Sequence, residues 1–213
     1  MSEVLQQMRR GGGVLGGFAL LSVALVAATY FGTRGRIAAS EQAALEAQLN
    51  ALVPAARYDN HPTEDTIRLS DAAAFGSGEA VTVYRARRAG EPVAALATVI
   101  APDGYAGPIR LLVGVWADGR IAGVRVLAHK ETPGLGDRIE IQRSDWIRSF
   151  DERSLTDPDA AGWKVRKDGG RFDQFTGATI TPRAIVKAVH GFLEYAQAHR
   201  AELYAPASGD RAP

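Results

Sequence analysis

Residues 173–182 have the sequence Asp173-Gln174-Phe175-Thr176-Gly177-Ala178-Thr179-Ile180-Thr181-Pro182 and lie directly ahead of an amphipathic helical pattern. Thr181 followed by Pro182 predicts a helix start, with Thr181 as the N-cap and Pro182 at the first helical position. Backbone N–H groups at a helix start have no intrahelical partners, and the helix dipole adds partial positive charge there. The stretch therefore fits two interpretations, an ordinary capped turn or a place where a phosphate group is held.

The residues after Pro182 carry apolar side chains at helical spacing, namely Ile185, Val186, Val189, Phe192, Leu193 and Ala196. Such a face packs onto a sheet. Upstream, residues 81–87 pair with 93–100 and residues 109–116 with 121–127 in two predicted hairpins, the second with a tight turn at Asp118-Gly119. Four short strands in succession, flanked by helices, predict an antiparallel sheet in an α+β domain. A helix over residues 137–150 and a short strand over 163–167 are also predicted.

A second informative stretch, residues 129–137, reads His-Lys-Glu-Thr-Pro-Gly-Leu-Gly-Asp. Gly134 and Gly136 on either side of Leu135 give a backbone that can lie flat against a ligand where side chains would intrude. The same composition also suits an ordinary turn between a strand and a helix.

Composition excludes several function classes. The 213 residues carry 25 Lys and Arg against 24 Asp and Glu, for a net charge of +1, so nothing supports a nucleic-acid binder. Cysteine is absent, so the chain supplies neither a disulfide nor an iron–sulfur cluster. The four histidines lack metal-ligand spacing, and no metal site is expected.

Residues 11–33 are 23 consecutive residues without a charge. A helix of that length reaches about 34 Å, enough for one crossing of the lipid hydrocarbon layer. A cleaved signal peptide is the alternative, but the apolar stretch is longer than such peptides carry, which favours an uncleaved anchor. Arginines flank both ends, so charge alone leaves the orientation open. Residues 36–53 predict a further helix that Pro54 closes, and residues 59–66 predict a loop.

Residues 173–179 resemble the flavin-attachment motif of the FMN-binding domain family, D-x-x-(S/T)-G-A-(T/S), through Asp173, Thr176, Gly177, Ala178 and Thr179. In that family the last hydroxyl residue is joined to FMN by a phosphoester bond. The resemblance therefore implies that Thr179 carries covalent FMN. Thr176 stands where serine is frequent in the family, and it keeps the hydroxyl.

The stretch at residues 131–136 resembles the second hallmark of the same family, which borders the flavin. This resemblance makes five residues candidates for contact with FMN, namely Glu131, Thr132, Gly134, Leu135 and Gly136. Lys164 is a further candidate for the flavin or its phosphate, with a solvated strand lysine as the alternative. Tyr105 and Gly107 resemble a G-Y-x-G-x-I signature that is interpreted as mainly structural.

The membrane segment, the absence of cysteine and both motifs together resemble the G subunits of Rnf (Rsx) complexes, the ion-translocating ferredoxin:NAD oxidoreductases. The C subunits of Na⁺-translocating NADH:quinone reductases are similar in layout and share both motifs. The resemblance implies an electron relay within an enzyme complex, with no catalytic residues or substrate of its own. Its partners would be the membrane, the other proteins of the complex and a flavin transferase that attaches the FMN. A non-redox assembly or sensor module is the alternative from another class.

These expectations divide the chain into five parts. Residues 1–10 form a short cytoplasmic N-terminus, 11–33 a transmembrane helix and 34–75 a helical stalk and linker. Residues 76–204 form the FMN-binding domain, which lies on the periplasmic side of the cell inner membrane. Residues 205–213 form a disordered tail, because small and polar residues dominate it.

Overall fold

The computed structural model describes residues 2–205, and the predicted disordered tail lies outside them from residue 206 onward. The chain divides into two compact units, Met1–Glu46 and Ala47–Pro213. The second unit therefore begins at Ala47, ahead of residue 76, where the sequence placed the start of the FMN-binding domain.

The first long element is a single helix, α1, which runs over Ser2–Asn50. Within it, Gly11–Asn50 is the one stretch of the described residues that is long and apolar enough to cross a membrane. Its hydroxyls bond inside the helix, since Thr29 donates to the Leu25 carbonyl at 2.9 Å and Thr33 to the Thr29 carbonyl at 2.7 Å. Such bonds satisfy polar groups where water is absent. The helix predicted over residues 36–53 is the end of α1 and stops at Asn50.

Five antiparallel strands form one sheet with the order β1-β2-β3-β4-β5. They are β1 (Thr66–Leu69), β2 (Val81–Arg88), β3 (Glu91–Ala101), β4 (Ile109–Trp116) and β5 (Ile121–Ala128). Both predicted hairpins, β2 with β3 and β4 with β5, are confirmed. Strand β1 pairs with β2 and had not been predicted, because four residues beside a polar loop give too short a pattern. The α+β fold class is confirmed.

Helices α2 (Ala72–Phe75) and α3 (Ile180–Ala198) pack against the sheet, and α4 (Arg200–Leu203) follows α3. The rings of Phe75 and Phe192 are fully buried with centroids 5.7 Å apart. Every residue of the predicted apolar face of α3 is buried. The buried face fixes α3, and with it the residues at its start, relative to the strands.

The segment between β5 and α3 differs from prediction. The helix predicted over residues 137–150 is wrong, because two separate 3-10 helices, Asp137–Ile139 and Asp145–Phe150, stand in its place. Extended backbone at Glu140 and Ser144 separates them. The predicted strand over 163–167 is also wrong, since only Val165 forms a bridge there. Ring contacts hold this segment together, with Phe150 and Phe172 stacked at 4.7 Å.

A buried charge cluster joins the start of the sheet to the end of the described chain. Asp65 pairs with Arg85, and also with Arg87 at 2.7 Å. Both arginines are buried, with 3% and 8% of their surfaces exposed. They also donate to the Ala205 carbonyl, which ties the residues after α4 to strand β2.

Candidate functional site

A cleft of about 310 Å³ lies where the two predicted motif stretches meet. Its walls come from the loop after β3, from the turn after β5 and from the start of α3. The lining residues are Tyr105, Glu131, Thr132, Leu135, Gly136, Gly177, Ala178, Thr179, Ile180 and Thr181. A volume near the lower end of the usual range of about 300–1,000 Å³ suits one small ligand or part of a larger one.

The turn at residues 132–136 has the flat backbone that its glycines predict. The Leu135 and Gly136 N–H groups both donate to the Thr132 carbonyl, at 3.1 and 3.0 Å. Gly134 has a φ of +79°, which a residue with a Cβ adopts only with strain. Its N–H donates to Asp137 Oδ1 at 2.8 Å, so the carboxylate caps the turn from within. Leu135 is thereby held at the tip of a tight turn.

The loop that precedes α3 is anchored by Phe175, whose ring is only 4% exposed. Trp146 packs edge-on against this ring at 5.3 Å, and the Arg138 guanidinium lies 5.2 Å from its centroid. Trp146 Nε1 also donates to the Asp173 carbonyl at 2.8 Å. Gly177, with a φ of +80°, then turns the chain into the helix. The loop residues that line the cleft are Gly177, Ala178 and Thr179, directly before α3.

The start of α3 is arranged differently from its prediction. Thr179 is the N-cap and Ile180 the first helical residue, so Pro182 occupies the third helical position. Thr181 is not a cap, because its buried hydroxyl donates to Glu131 instead of accepting from the helix backbone. Proline is tolerated in the first turn, where its missing N–H would have no intrahelical partner.

Thr179 offers a hydroxyl that has no other role in the described structure. It makes no side-chain capping bond, and no described residue forms a hydrogen bond with it. The side chain is half-buried at the edge of the cleft. At the same point, the N–H groups of Ile180 and Thr181 lack intrahelical acceptors and lie at the positive end of the α3 dipole. An anion joined to this oxygen would therefore be favoured.

The charged groups around the loop are paired with one another. Arg183 donates to both oxygens of Asp168, at 2.7 and 2.9 Å. These bonds hold the pKa of Asp168 below its ordinary value. Arg166 pairs with Asp173 at 2.9 Å. Neither pair lines the cleft. The described residues that line it include no lysine or arginine.

Exposed apolar side chains concentrate at the cleft. Outside α1, the large hydrophobic residues that are described as exposed are Tyr105, Leu135 and Ile180, at 68%, 46% and 44%. All three line this cleft. Scattered exposed apolar residues are ordinary, but three from separate segments around one concavity indicate a binding site.

The sequence-predicted candidates divide into three groups. Seven line the cleft, namely Glu131, Thr132, Leu135, Gly136, Gly177, Ala178 and Thr179. Gly134 and Thr176 lie within the same two turns without lining it. Asp173 and Lys164 are exposed and lie outside the lining.

Sequence reasoning missed two lining residues and interpreted a third differently. Ile180 and Thr181 lie at the start of α3, beside the motif, and nothing in their spacing marks them as site residues. Tyr105 was interpreted as mainly structural, yet it is the most exposed of the lining apolar residues. Its neighbour Gly104 has the structural role, because a Cβ there would lie 2.2 Å from the Gly107 carbonyl oxygen.

FMN fits the chemistry of this cleft. A flavin ring has flat faces with little polarity, and the exposed side chains of Tyr105, Leu135 and Ile180 give the cleft an apolar surface for such a face. A phosphoester needs an oxygen on the chain, which Thr179 has, and backbone N–H groups that donate to the phosphate, which the start of α3 supplies. The Gly136 backbone forms part of the wall.

We expect Trp146→Phe to lower the free energy of unfolding by about 1 kcal/mol, because the Asp173 carbonyl loses its donor. The phenyl ring keeps the contact with Phe175. The measurement is thermal or urea unfolding of the full chain in detergent. Trp116→Phe is the matched control, since Trp116 donates to exposed Glu152 at 3.0 Å, where water replaces the lost bond. Equal losses in both variants would contradict an anchoring role for Trp146.

Comparisons with known proteins agree with the geometry. The FMN-binding domain family matches residues 104–194, and the RnfG N-terminal region matches residues 1–52. The chain is 50% identical to the G subunit of the ion-translocating oxidoreductase complex of Pseudomonas aeruginosa over 201 residues, 94% of each chain. It is 53% identical to the G subunit of the same complex of Cereibacter sphaeroides over 91% of this chain and 86% of that one. The corresponding protein of Pseudoalteromonas atlantica is 47% identical over 93% of each chain.

Proposed function

Because this chain belongs to the family of the G subunits of ion-translocating oxidoreductase (Rnf) complexes, we propose that it carries FMN as a permanent electron relay, joined through a phosphoester bond to Thr179. The complex in which it acts would be a ferredoxin:NAD⁺ oxidoreductase of the membrane. FMN supplies the electron chemistry, and the chain supplies its position.

The observation that carries this proposal is the meeting of both motif stretches at one cleft. Residues 131–136 and 177–181 lie far apart in sequence, yet both contribute to its lining. Thr179 presents a hydroxyl free of hydrogen bonds with the described residues, at the start of a helix of 19 residues. The helix start favours a negative group there by about 0.3–1 kcal/mol. The covalent bond would then keep the cofactor in place whatever its redox state.

The lining supports a relay better than an independent enzyme. Glu131 is the one carboxylate among the described cleft residues, and both of its oxygens accept hydrogen bonds. No free acid or base therefore faces a substrate from this lining. The cleft is open to solvent at Tyr105 and Leu135, so a ring held there could exchange electrons with a protein that approaches it.

The proposed setting is the cell inner membrane. Residues 11–33 would cross it once and residues 1–10 would remain cytoplasmic, with the FMN-binding unit on the periplasmic side. A flavin transferase would attach FMN there, and the other proteins of the complex would be the redox partners. The exposed apolar side chains along α1, such as Leu15, Phe18 and Leu21, support burial in lipid.

The intact mass of the chain purified from membranes tests this proposal. We expect the wild type, made with a functional flavin transferase, to exceed its polypeptide mass by one FMN less one water. Retention of residues 1–33 in the same mass distinguishes an anchor from a cleaved signal peptide. Flavin fluorescence of the band in a denaturing gel gives an independent reading. A gel band without flavin fluorescence, together with an intact mass equal to that of the polypeptide alone, would instead support a non-redox assembly or sensor module.

A further inference from the structure

The carboxylate of Glu131 joins three separate segments at the wall of the cleft. The side chain is buried, with 4% of the residue exposed. Its Oε1 accepts the Ala106 N–H at 2.9 Å, and its Oε2 accepts the hydroxyl of Thr181, a residue with no exposed surface. The loop after β3, the turn after β5 and the first turn of α3 therefore meet at one acceptor.

The backbone of Glu131 is fixed as well. His129 Nδ1 accepts the Glu131 N–H at 3.0 Å. The other ring nitrogen, Nε2, lies 2.7 Å from Glu140 Oε1. The His129 imidazole thus connects the Glu131 backbone to Glu140, which follows the 3-10 helix Asp137–Ile139. The Glu131 side chain therefore extends from a main chain that is itself held in place.

Two motif glycines make room for this carboxylate. A Cβ on Gly136 would lie 2.8 Å from Glu131 Cβ and 2.9 Å from Oε2. A Cβ on Gly104 would lie 3.0 Å from Oε1. The Gly136 backbone therefore approaches Glu131 more closely than a residue with a Cβ allows, and the Gly104 backbone leaves little room for a Cβ beside Oε1. No described cation pairs with Glu131, so directional hydrogen bonds hold the arrangement.

Thr179 is the N-cap of α3 and lies two residues before Thr181. Its hydroxyl makes no hydrogen bond with a described residue, so only the backbone at the start of α3 sets its direction. Terminal helical turns open easily unless they are fastened, and Thr181 is the fastening residue two positions further on. Reacting atoms displaced by about 1 Å can cost a hundredfold in rate.

We propose that Glu131 is a positioning residue for FMN attachment: through Thr181 it fixes the first turn of α3 and so aims the Thr179 hydroxyl at the cleft. The inference rests on the proposed function for the attachment step. In that step the Thr179 oxygen forms a bond to the FMN phosphorus of a flavin dinucleotide held by the transferase, the phosphoanhydride bond breaks with release of a nucleoside monophosphate, and the hydroxyl proton is lost. The hydrogen bonds of Glu131 to Ala106 and Thr181, here called the Glu131 tie, exist in the chain without FMN. The Glu131 tie and the attachment of FMN can therefore be tested separately.

The first test compares Thr181→Val with Thr181→Ser in the full chain. Valine has nearly the shape of threonine but leaves Glu131 Oε2 without its donor, whereas serine keeps the hydroxyl. We expect the initial rate of FMN attachment to fall about tenfold in Thr181→Val, which corresponds to about 1.4 kcal/mol. Thr181→Ser should attach FMN at close to the wild-type rate. Wild-type rates in both variants would overturn the proposal.

The second test needs no FMN. Hydrogen exchange of the full chain in detergent, made without a flavin transferase, should show faster exchange in residues 179–184 for Thr181→Val. Residues 104–109 should exchange faster in Glu131→Ala, because the Ala106 N–H loses its acceptor. Glu131→Gln keeps one acceptor oxygen and should give a smaller change at residues 104–109. Unchanged exchange in both segments would overturn the tie, even if the wild type accepts FMN.

The two tests separate the two proposals. A wild-type chain that never gains FMN would contradict the proposed function. The hydrogen-exchange data would still show whether the hydrogen bonds of Glu131 stabilise the loop after β3 and the first turn of α3. If the wild type gains FMN and Thr181→Val gains it at the same rate, only the positioning role of Glu131 is contradicted.

Discussion

Thr179→Val should leave the chain without covalent flavin. The intact mass should equal that of the polypeptide, and the flavin fluorescence of the band in a denaturing gel should vanish. Valine preserves the shape of the side chain and removes the oxygen that the phosphoester requires. The fold should survive, because the Thr179 hydroxyl makes no hydrogen bond with any described residue.

Thr179→Ser is the matched control, since it restores an oxygen at the same atom position and should again carry FMN. Unfolding curves of all three chains should agree to within about 0.5 kcal/mol, as expected of a substitution that removes no packing or hydrogen bond. Covalent flavin that persists in Thr179→Val would show that another hydroxyl is the point of attachment.

Asp65→Ala should produce the largest loss of stability, about 3–5 kcal/mol in the free energy of unfolding. The substitution leaves Arg85 and Arg87 buried in strand β2 without their anion. An uncompensated buried charge costs more than the net contribution of the pair. Urea unfolding of the full chain in detergent, followed by tryptophan fluorescence, measures the effect.

Asp103→Ala is the control for this prediction. Asp103 pairs with Lys187 at 2.7 Å, but the two side chains are 57% and 76% exposed. Exposed pairs contribute roughly 0–1 kcal/mol because water and salt screen them. Similar losses in both variants would mean that the cluster at Asp65 is no more important than an ordinary surface pair.

The elements that the sequence predicts well are those whose periodicity tertiary packing reinforces. The face of α3 around Val189 and Phe192 is fully buried, and strands β3 and β4 are mainly apolar where they are buried. Strand β2 departs from this pattern, because Arg85 and Arg87 are buried and paired with Asp65. The region between β5 and α3 follows another rule. Ile139, Ile147 and Phe150 have helical spacing and are all buried, yet the backbone between them is extended at Glu140 and Ser144. Spacing reports burial there and not backbone conformation.

The resemblance implied that both stretches border the same flavin, but the contact that joins them could not be predicted from the sequence. The glycines of residues 131–136 and the threonines of 176–181 carry the motifs, and the sequence resemblance made them candidates. In the structure the two stretches are joined by a hydrogen bond from Thr181 to Glu131, across 50 residues. The local sequence predicts a helix start with Thr181 as the N-cap and Pro182 after it. In the structure the Thr181 hydroxyl donates to Glu131, and Thr179 is the N-cap. Long-range acceptors of this kind leave no local pattern.

The neighbour-to-neighbour strand order has a consequence for how the domain assembles. Each strand pairs with the one just synthesised before it, so every closure spans a short stretch of chain and costs little entropy. The sheet can thus build up progressively from its N-terminal edge. Thr179 lines a complete cleft only once the last long helix has docked, so a modifying enzyme that acted on Thr179 and needed the finished cleft would select fully folded chains and pass over incomplete ones.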